Sequence, residues 1–203
     1  QCDPRRGVRA DRTLVRRQTQ LRALRPDLTF VSLRGNLDTR LRKLDDGEAD
    51  ALILAAAGLR RLGLSSRVSE FFSTSIMTPA AGQGMLGIEC RKSDLASLRP
   101  LLEILEDPNA RIAATAERSF LEKHQGGCQV PLGAFAEVVG TKLVFSAYLG
   151  SSEATKSLKL VHEGDVADAV AIGARAAEEL LRLGGQEILK ACRHVPLPEN
   201  SDS

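Results

Sequence analysis

The sequence predicts an α/β protein in two parts, in which a small α+β unit with a three-stranded antiparallel sheet follows a parallel sheet and its helices. The first part is indicated by a strand, a helix and a second strand between residues 28 and 55, because this order is typical of parallel α/β units. The second part is indicated by three strand-like stretches at 132–139, 142–149 and 157–163. Alternation of apolar and polar residues supports the middle stretch.

Five elements are predicted in the first part, in the order helix, strand, helix, strand and helical turn, at 15–25, 28–33, 36–47, 50–55 and 58–62. Pro26 ends the first helix, because its ring cannot continue the helical backbone. The strand at 28–33 alternates and is rich in β-forming residues. Asn36 is the expected N-cap of the next helix, because its side chain can accept a main-chain N–H bond, and Gly47 is the expected end of that helix.

A tight loop at 79–84 and a strand at 85–90 are expected to join the two parts. Three further helices are predicted, at 93–106, 108–124 and 165–183. Pro108 stands in the first turn of its helix, where the missing N–H has no helical partner to lose. Gly126-Gly127 ends that helix, and the boundary between the two parts falls near residue 93.

The composition is that of a folded globular protein and excludes several kinds of site. Of the 203 residues, 43% are hydrophobic and 27% are charged, which is enough apolar material for a core. The longest apolar run, at 51–59, has nine residues, whereas a bilayer crossing needs about 20. The four cysteines and three histidines stand far apart, so we expect neither a metal site nor a disulfide framework. This cysteine usage favours a reducing compartment.

Positive charge is concentrated at the front of the chain. Residues 1–43 carry eleven arginines and one lysine against four aspartates, a local balance of +8 within a net charge of +2. Arginine provides 21 of the 28 basic residues, and its planar fork binds carboxylate or phosphate through two hydrogen bonds. An anionic partner is therefore expected, either a nucleic acid or a small polyanion. Only 3% of residues are aromatic, which leaves few stacking platforms for single-stranded nucleic acid.

Arginines in a turn and in two helices are the candidates for binding an anion. Arg16 and Arg17 open the first helix, Arg34 lies on the strand-to-helix turn, and Arg40 lies in the next helix. Ligands bind beyond the carboxyl ends of parallel strands, so Arg34 is well placed. The alternative is a solvated basic face, whose ion pairs are each worth about 0.2–1 kcal/mol. The solvated face is the preferred interpretation for Arg42, Arg60 and Arg61.

Two glycine-containing segments raise further hypotheses. Gly82-x-Gly84-x-x-Gly87 has the letters of a dinucleotide-binding fingerprint, but that fingerprint needs a strand before it and a helix after it. A predicted strand follows it here, so a hinge turn is the better interpretation. Cys128 stands in a Gly-Gly-Cys-Gln-Val-Pro loop, where the main chain can approach a ligand closely. By residue types alone, a structural and a functional role for Cys128 are equally supported.

Seven short motifs occur along the chain in an order that one known family shares. They span about residues 15 to 191 and are Arg16-Arg17-Gln18, Arg34-Gly-Asn-Leu-Asp-Thr-Arg40-Leu, Asp50-Ala-Leu-Ile-Leu-Ala-Ala-Ala-Gly58-Leu, Pro79-Ala-Ala-Gly-Gln-Gly84, Gly87-Ile-Glu-Cys90-Arg91, Thr115-Ala-Glu-Arg118 and Gly126-Gly-Cys-Gln-Val-Pro131. In these motifs the chain resembles hydroxymethylbilane synthase, also called porphobilinogen deaminase. Residues 11–14 depart from the family's Gly-Thr-Ser-Ser, because Asp-Arg-Thr-Leu stands there.

The resemblance implies a transferase of tetrapyrrole (porphyrin and heme) biosynthesis. The family joins four porphobilinogen molecules head to tail into hydroxymethylbilane, with release of ammonia, on a covalently bound dipyrromethane cofactor. Cys128 matches the cysteine that holds this cofactor through a thioether. Arg16, Arg17, Arg34 and Arg40 match positions that bind its carboxylates, and Arg16, Arg34 and Arg40 also match positions that bind the substrate. The family's catalytic aspartate lies in a domain that this chain lacks, so no residue here is assigned to catalysis.

The resemblance also implies a division of the chain. Residues 1–14 are a divergent or foreign lead-in, 15–78 a partial periplasmic-binding-protein-like domain two, 79–92 a hinge and a strand returning towards the missing domain one, and 93–203 the C-terminal domain with the cofactor cysteine. The complete protein is expected to be a monomer that acts on porphobilinogen and pyrrole-chain intermediates, without nucleic acid or membrane partners. Its expected place is the cytoplasm, or the plastid stroma in a photosynthetic eukaryote.

Two alternatives stay open. One is a non-catalytic module that binds small anions or nucleic acid, and an affinity that falls steeply with salt would support the nucleic acid. The other is a truncated, inactive remnant. By the resemblance, the 203 residues lack one wall of the catalytic cleft, so they are not expected to turn over porphobilinogen by themselves.

Overall fold

A computed structural model describes residues 9–11, 15–124 and 130–193, and its first part is a small α/β unit. The elements of this part are β1 (Arg9–Asp11), α1 (Val15–Leu24), β2 (Thr29–Val31), α2 (Leu37–Asp45) and α3 (Ala56–Arg61). β1 and β2 are parallel, with Ala10 opposite Phe30, and Ala51 adds one parallel bridge to Ala10. The predicted α/β class and the parallel pairing are confirmed.

The parallel sheet is smaller and begins earlier in the chain than the sequence predicts. The strand expected at 50–55 is reduced to the bridge at Ala51, whose N–H donates to the carbonyl oxygen of Arg9 at 3.2 Å. β1 has three residues, so little strand is available for pairing. β1 itself lies inside the segment at 1–14, where the sequence predicts only a lead-in. Its partner β2 lies beyond helix α1, so no local pattern marks β1 as a strand.

Helix α2 has the ends that its sequence predicts. The Oδ1 atom of Asn36 accepts the N–H of Thr39 at 2.9 Å, so Asn36 is the N-cap. Gly47 follows the helix with a φ of +76°, the left-handed conformation that glycine adopts without strain. These local signals fix where the Arg34-containing turn gives way to the helix that carries Arg40.

The second part contains the three predicted strands and four helices within the described ranges. Its elements are α4 (Leu95–Leu105), α5 (Pro108–His124), β3 (Leu132–Val139), β4 (Lys142–Gly150), β5 (Ser157–Asp165), α6 (Ala169–Leu180) and α7 (Gln186–Arg193). The strands form an antiparallel sheet in the order β3-β4-β5, as predicted. A short π-helical segment that contains Gly184, with a φ of +107°, joins α6 to α7. The helix predicted at 165–183 corresponds to α6, and α7 lies beyond its predicted end.

The main core lies between this sheet and helices α5 and α6. Its largest fully buried apolar residues are Phe120, Leu143, Phe145, Leu149, Ile172 and Leu180. Helix α5 begins at Pro108 as predicted, and the carboxylate of Asp107 accepts the N–H of Asn109 at 2.9 Å. The Ser119 hydroxyl donates to the carbonyl oxygen of Val170 at 2.8 Å and ties α5 to α6. None of the helices described has the length and hydropathy that crossing a bilayer requires.

The strand predicted at 85–90 is absent from the described structure. These residues have no regular secondary structure, and the side chain of Leu86 is 89% exposed. A strand needs a neighbour that accepts and donates its main-chain hydrogen bonds, and no described residue pairs with this segment. Helix α4, which follows as predicted, buries none of its residues, and Leu101, Ile104 and Leu105 are exposed. The strand predicted at 85–90 therefore has no partner among the described residues.

Two hydrogen bonds join the first part to the antiparallel sheet, and a third holds the segment at 78–79 to helix α1. The Tyr148 hydroxyl of β4 donates to the Thr19 hydroxyl oxygen at 3.0 Å. The Thr78 N–H donates to the Gln20 side-chain oxygen at 2.8 Å, and the N–H of Ala134 in β3 donates to the carbonyl oxygen of Pro79 at 3.0 Å. The segment at 78–79 is thus held from both sides, and it fixes the wall from which the candidate site is built.

Candidate anion-binding site

A cavity of about 470 Å³ opens in the first part, and its volume is within the usual range of ligand pockets, about 300–1,000 Å³. Helix α1 provides one wall through Arg16 and Arg17, and residues 50–56 provide another. The segment at 67–72 and Met77 also line the cavity. The cavity therefore joins α1 to two stretches that have little regular secondary structure, which is the usual place for ligand-binding groups.

Arg16 is a buried cation at the start of α1. The residue is 8% exposed, and its Nη1 atom donates to the carbonyl oxygen of Thr78 at 2.5 Å. Its Nη2 atom donates to the side-chain oxygen of Gln83 at 3.0 Å. Burial, and next the positive charge of Arg17, lower the pKa of Arg16 to about 10, so the guanidinium keeps its charge at neutral pH.

Arg17 brings a second guanidinium to the same cavity. The residue is half-buried, and its Nη1 atom donates to the carbonyl oxygen of Ile53 at 2.9 Å. Burial also lowers the pKa of Arg17. Side chains of adjacent helix residues point about 100° apart. Arg16 and Arg17 nevertheless both line this cavity, so it has two like charges close together. An anion between Arg16 and Arg17 would offset both the repulsion and the desolvation.

The other charged groups of the cavity largely pair with residues behind its wall. The carboxylate of Asp50 accepts the main-chain N–H of Arg9 at 2.8 Å and its Nε–H at 3.3 Å. Arg67 donates to the carboxylate of Asp45 at 2.5 Å. Besides the two arginines of α1, Glu70 is the remaining charged residue of the lining. The α1 wall of the cavity therefore carries the positive charge that a ligand meets.

The structure places the four sequence-predicted arginines in two groups. Arg16 and Arg17 lie together in the cavity, whereas Arg34 is exposed on its turn and Arg40 is half-buried on α2, both outside the cavity lining. Burial lowers the pKa of Arg40. Gly35, between the strand and α2, has a φ of +126°, and a Cβ atom there would come within 2.6 Å of the Thr39 side chain. The turn that carries Arg34 therefore needs glycine at position 35. A common site for all four arginines stays a prediction.

The predicted cofactor residue, Cys128, lies outside the described residues. The nearest described residue before it, His124, has a buried ring whose Nδ1–H donates to the carbonyl oxygen of Phe120 at 2.8 Å. Burial lowers the pKa of His124, which keeps the ring neutral at neutral pH and gives it a packing role at the end of α5. Cys90 and Cys192 are free thiols. Among the described residues, no group of histidine, cysteine or carboxylate side chains could hold a metal ion.

Sequence analysis missed the loop residues that hold Arg16. Gln83 binds its guanidinium from the loop at 79–84, in which Gly82 and Gly84 have φ values of +72° and +94°. Those glycines do make the tight turn that the sequence predicts, and no helix follows them, so the dinucleotide hypothesis fails. The glycines predicted a turn. Nothing in the sequence indicated that this turn brings Gln83 to Arg16, which is 67 positions earlier.

Two family models match the chain. Residues 7–99 match the model described as "Porphobilinogen deaminase, dipyromethane cofactor binding domain", and residues 111–182 match "Porphobilinogen deaminase, C-terminal domain". The chain belongs to the porphobilinogen deaminase family. The resemblance drawn from the motifs is thereby confirmed, and the first match covers Arg16 and Arg17.

Curated porphobilinogen deaminases of bacteria are similar to most of this chain. The porphobilinogen deaminase of Roseiflexus sp. (strain RS-1) is 49% identical over 183 residues, which are 90% of this chain and 60% of that protein. The porphobilinogen deaminase of Syntrophotalea carbinolica (strain DSM 2380 / NBRC 103641 / GraBd1) is 43% identical over 192 residues, 95% of this chain and 61% of that protein. The chain thus spans about 60% of the length of these relatives.

The lining of the cavity fits the cofactor that the porphobilinogen deaminase model names. A dipyrromethane made from porphobilinogen has two flat apolar rings with acetate and propionate side chains, so it needs cations beside apolar surface. Arg16 and Arg17 supply the cations, and Leu41, Leu59 and Met77 supply apolar surface. A guanidinium has five N–H donors, and the hydrogen bonds described use two from Arg16 and one from Arg17. Donors remain for bidentate binding of carboxylates.

Proposed function

We propose that this chain is the cofactor-holding portion of a porphobilinogen deaminase, which condenses four porphobilinogen molecules into hydroxymethylbilane and releases ammonia. The observation that carries the proposal is the pair of neighbouring guanidiniums, Arg16 and Arg17, in one cavity of a chain that belongs to this family. We propose a periplasmic-binding-protein-like architecture for the segment at 15–78. We further propose that the whole protein is a monomer that acts on porphobilinogen and pyrrole-chain intermediates, and the bacterial relatives support a place in the cytoplasm.

The arginine pair would bind and orient the carboxylates of the pyrrole chain. Orientation by fixed charges lowers the barrier to joining rings, because the translational and rotational freedom of the reactants has already been lost on binding. Arg16 is preorganised by Thr78 and Gln83, so no side-chain ordering is needed when a carboxylate arrives. When bound, the dipyrromethane supplies the pyrrole carbon at which the first substrate ring is added. We assign its attachment to Cys128.

The catalytic aspartate of the family has no counterpart in this proposal. Asp50 and Glu70 are the carboxylates of the cavity lining, and Asp50 binds Arg9. Neither is assigned the role of stabilising a cationic pyrrole. We therefore expect the 203 residues to bind pyrrole carboxylates without releasing ammonia, and we expect turnover from the polypeptide that also carries the remaining 40% or so of the relatives' length.

The cysteine assignment is tested in the chain completed with the missing segment of a relative. We expect Cys128→Ala to lose all covalent dipyrromethane, because the thioether sulfur is gone, whereas Cys90→Ala should keep it. Intact-mass spectrometry of both purified variants measures the adduct directly. Retention of the full adduct in Cys128→Ala would sink the assignment, and absence of any adduct from the unmutated protein would sink the proposed function.

The arginine assignment predicts unequal effects of leucine substitutions. Arg17→Leu, Arg34→Leu and Arg40→Leu should each weaken porphobilinogen binding about 10- to 100-fold, since a hydrogen bond to a charged group is worth about 1.5–3 kcal/mol. The matched control is Arg61→Leu on α3, an exposed arginine outside the cavity lining. Titration calorimetry on the 203-residue chain, which we expect to bind porphobilinogen without turnover, gives the four dissociation constants. Small and equal changes at all four positions would favour the solvated basic face instead.

A further inference from the structure

An aromatic wall faces the same cavity as the arginine pair. Phe71 and Phe72 line it, and Phe71 is 53% exposed. Aromatic side chains are scarce in this protein, which has six phenylalanines, one tyrosine and no tryptophan. Two of the six phenylalanines therefore border one cavity, on a segment whose other residues between 69 and 75 are polar. A large exposed aromatic side chain at a cavity is unfavourable in water, which points to a ligand that covers it.

The ring of Phe71 is held in place from behind. The guanidinium of Arg60 lies 5.1 Å from the ring centroid, a cation–π contact that α3 provides. Arg60 is exposed in the structure, and it makes this contact in addition. Because one ring face binds Arg60 while about half of the residue is exposed, Phe71 has a fixed orientation and an accessible surface at the cavity.

The segment that carries Phe71 is braced at both ends. Arg67 binds the carboxylate of Asp45 on α2 before it. After it, the carbonyl oxygen of Ser73 accepts the N–H of Met77 at 2.9 Å, and the ammonium of Lys159 in β5 donates to the carbonyl oxygen of Ser75. A braced segment does not have to be ordered when a ligand binds, so the contact of Phe71 with a ring costs little conformational entropy.

The cavity thus combines charge on one wall with an aromatic ring on another. Arg16 and Arg17 would bind carboxylates of any shape, whereas a phenylalanine face discriminates in favour of flat rings, which pack on it with centroids about 4.5–7 Å apart. We propose that Phe71 is a ring-binding residue that makes this cavity selective for aromatic dicarboxylates over non-planar ones of equal charge. The inference rests on the proposed function in one respect, that a pyrrole is the ring concerned.

The test compares two probes that differ in planarity and share size and charge: isophthalate and cis-cyclohexane-1,3-dicarboxylate. Porphobilinogen is the third ligand, and binding to the 203-residue chain is measured by titration calorimetry. We expect the unmutated chain to prefer isophthalate to its saturated counterpart. Phe71→Ala should weaken binding of porphobilinogen and isophthalate about five- to tenfold, which corresponds to one aromatic contact, and should leave the saturated acid unaffected.

Four variants separate the ring contact from charge and from folding. Arg17→Leu should weaken all three ligands alike. Leu62→Ala removes a side chain that is also 53% exposed but lies outside the cavity lining, and it should change nothing. Phe71→Leu keeps apolar volume without the ring and should lose the preference, whereas Phe71→Trp should retain it.

Each result decides between the two proposals. Equal isophthalate preference in the unmutated chain and in Phe71→Ala would overturn the role of Phe71 while leaving the proposed function standing. Loss of that preference in Phe71→Ala, in a chain that does not bind porphobilinogen, would overturn the proposed function and support a site for other aromatic acids. Absence of binding by all three ligands to the unmutated chain would overturn both.

Discussion

Gly173→Ala should destabilise the second part of this protein by about 3 kcal/mol, the upper end of the usual cost of overpacking a core. Gly173 lies on α6 where it crosses α5, and a Cβ atom there would come within 2.1 Å of the carbonyl oxygen of Ala116. That atom belongs to the main chain, so no side-chain rotation relieves the clash. The two helices must separate instead, which loosens the contacts of Phe120 and Ile172 in the core.

Urea unfolding followed by circular dichroism measures this effect as a shift of the midpoint. The matched control is Gly58→Ala in α3, where the nearest atom to an added Cβ is the Cδ2 atom of Leu37 at 3.9 Å. Since alanine is the better helix former, this variant should gain about 0.5–1 kcal/mol. Equal midpoints for the two variants would contradict the close crossing of α5 and α6.

Glu117→Ala should cost about 1–3 kcal/mol, because the buried N–H of Ala136 would be left without its acceptor, whereas the N–H of the exposed Gly82 can bond to water instead. Glu117 is 2% exposed on α5, and its two carboxylate oxygens accept the N–H of Gly82 at 2.6 Å and that of Ala136 at 2.9 Å. One side chain thus joins α5, β3 and the loop that presents Gln83 to Arg16. We also expect weaker binding of anions in this variant, since the loop behind Arg16 loses its anchor.

Glu117→Gln separates charge from shape. Its amide keeps the volume but places a donor against one of the two N–H groups, so its cost should be smaller than that of alanine. Glu122→Gln, an exposed substitution on the same helix, should leave the free energy of unfolding unchanged. A Glu117→Gln protein as stable as the Glu122→Gln control at every pH would show that the carboxylate does not hold the loop.

The pH dependence of this difference has a definite sign. Burial raises the pKa of Glu117 above its ordinary value of 4.5, against the opposing effect of its bonds from Gly82 and Ala136. A raised pKa means that the folded protein holds the proton more tightly than the unfolded chain does. The stability of the unmutated protein relative to Glu117→Gln should therefore be greatest below pH 4.5 and should decline as the pH rises through the raised pKa. A difference that grows with pH would contradict the assignment.

The second part of the fold was predictable because its signals are local. The hairpin-rich sheet β3-β4-β5 pairs strands that are neighbours in the sequence, and Pro108 marks the start of α5 within the same short stretch. Strand pairing over long distances gave no such signal. β1 pairs with β2 across the whole of α1, and the strand predicted at 85–90 has no partner among the described residues.

The candidate site was predictable residue by residue but not as an arrangement. The charge count and the motifs both pointed to Arg16 and Arg17, because the chemistry of carboxylate binding favours arginine. Gln83 and Phe71 could not be found in this way, since each reaches the cavity from a segment without regular periodicity. Arg34 and Arg40 match the family motif and yet lie outside this cavity lining, so their part in binding depends on the test of the leucine variants.

The burial of Arg16 also decides which cation the protein can use at this position. Its pKa falls to about 10, and arginine still holds its proton over the whole physiological range after that loss. Lysine begins from about 10.4, so the same desolvation and the same neighbouring guanidinium would bring its titration down towards cellular pH. A lysine there would make ligand affinity respond to small changes in cellular acidity. Arginine makes the strength of this binding wall independent of the proton concentration around it.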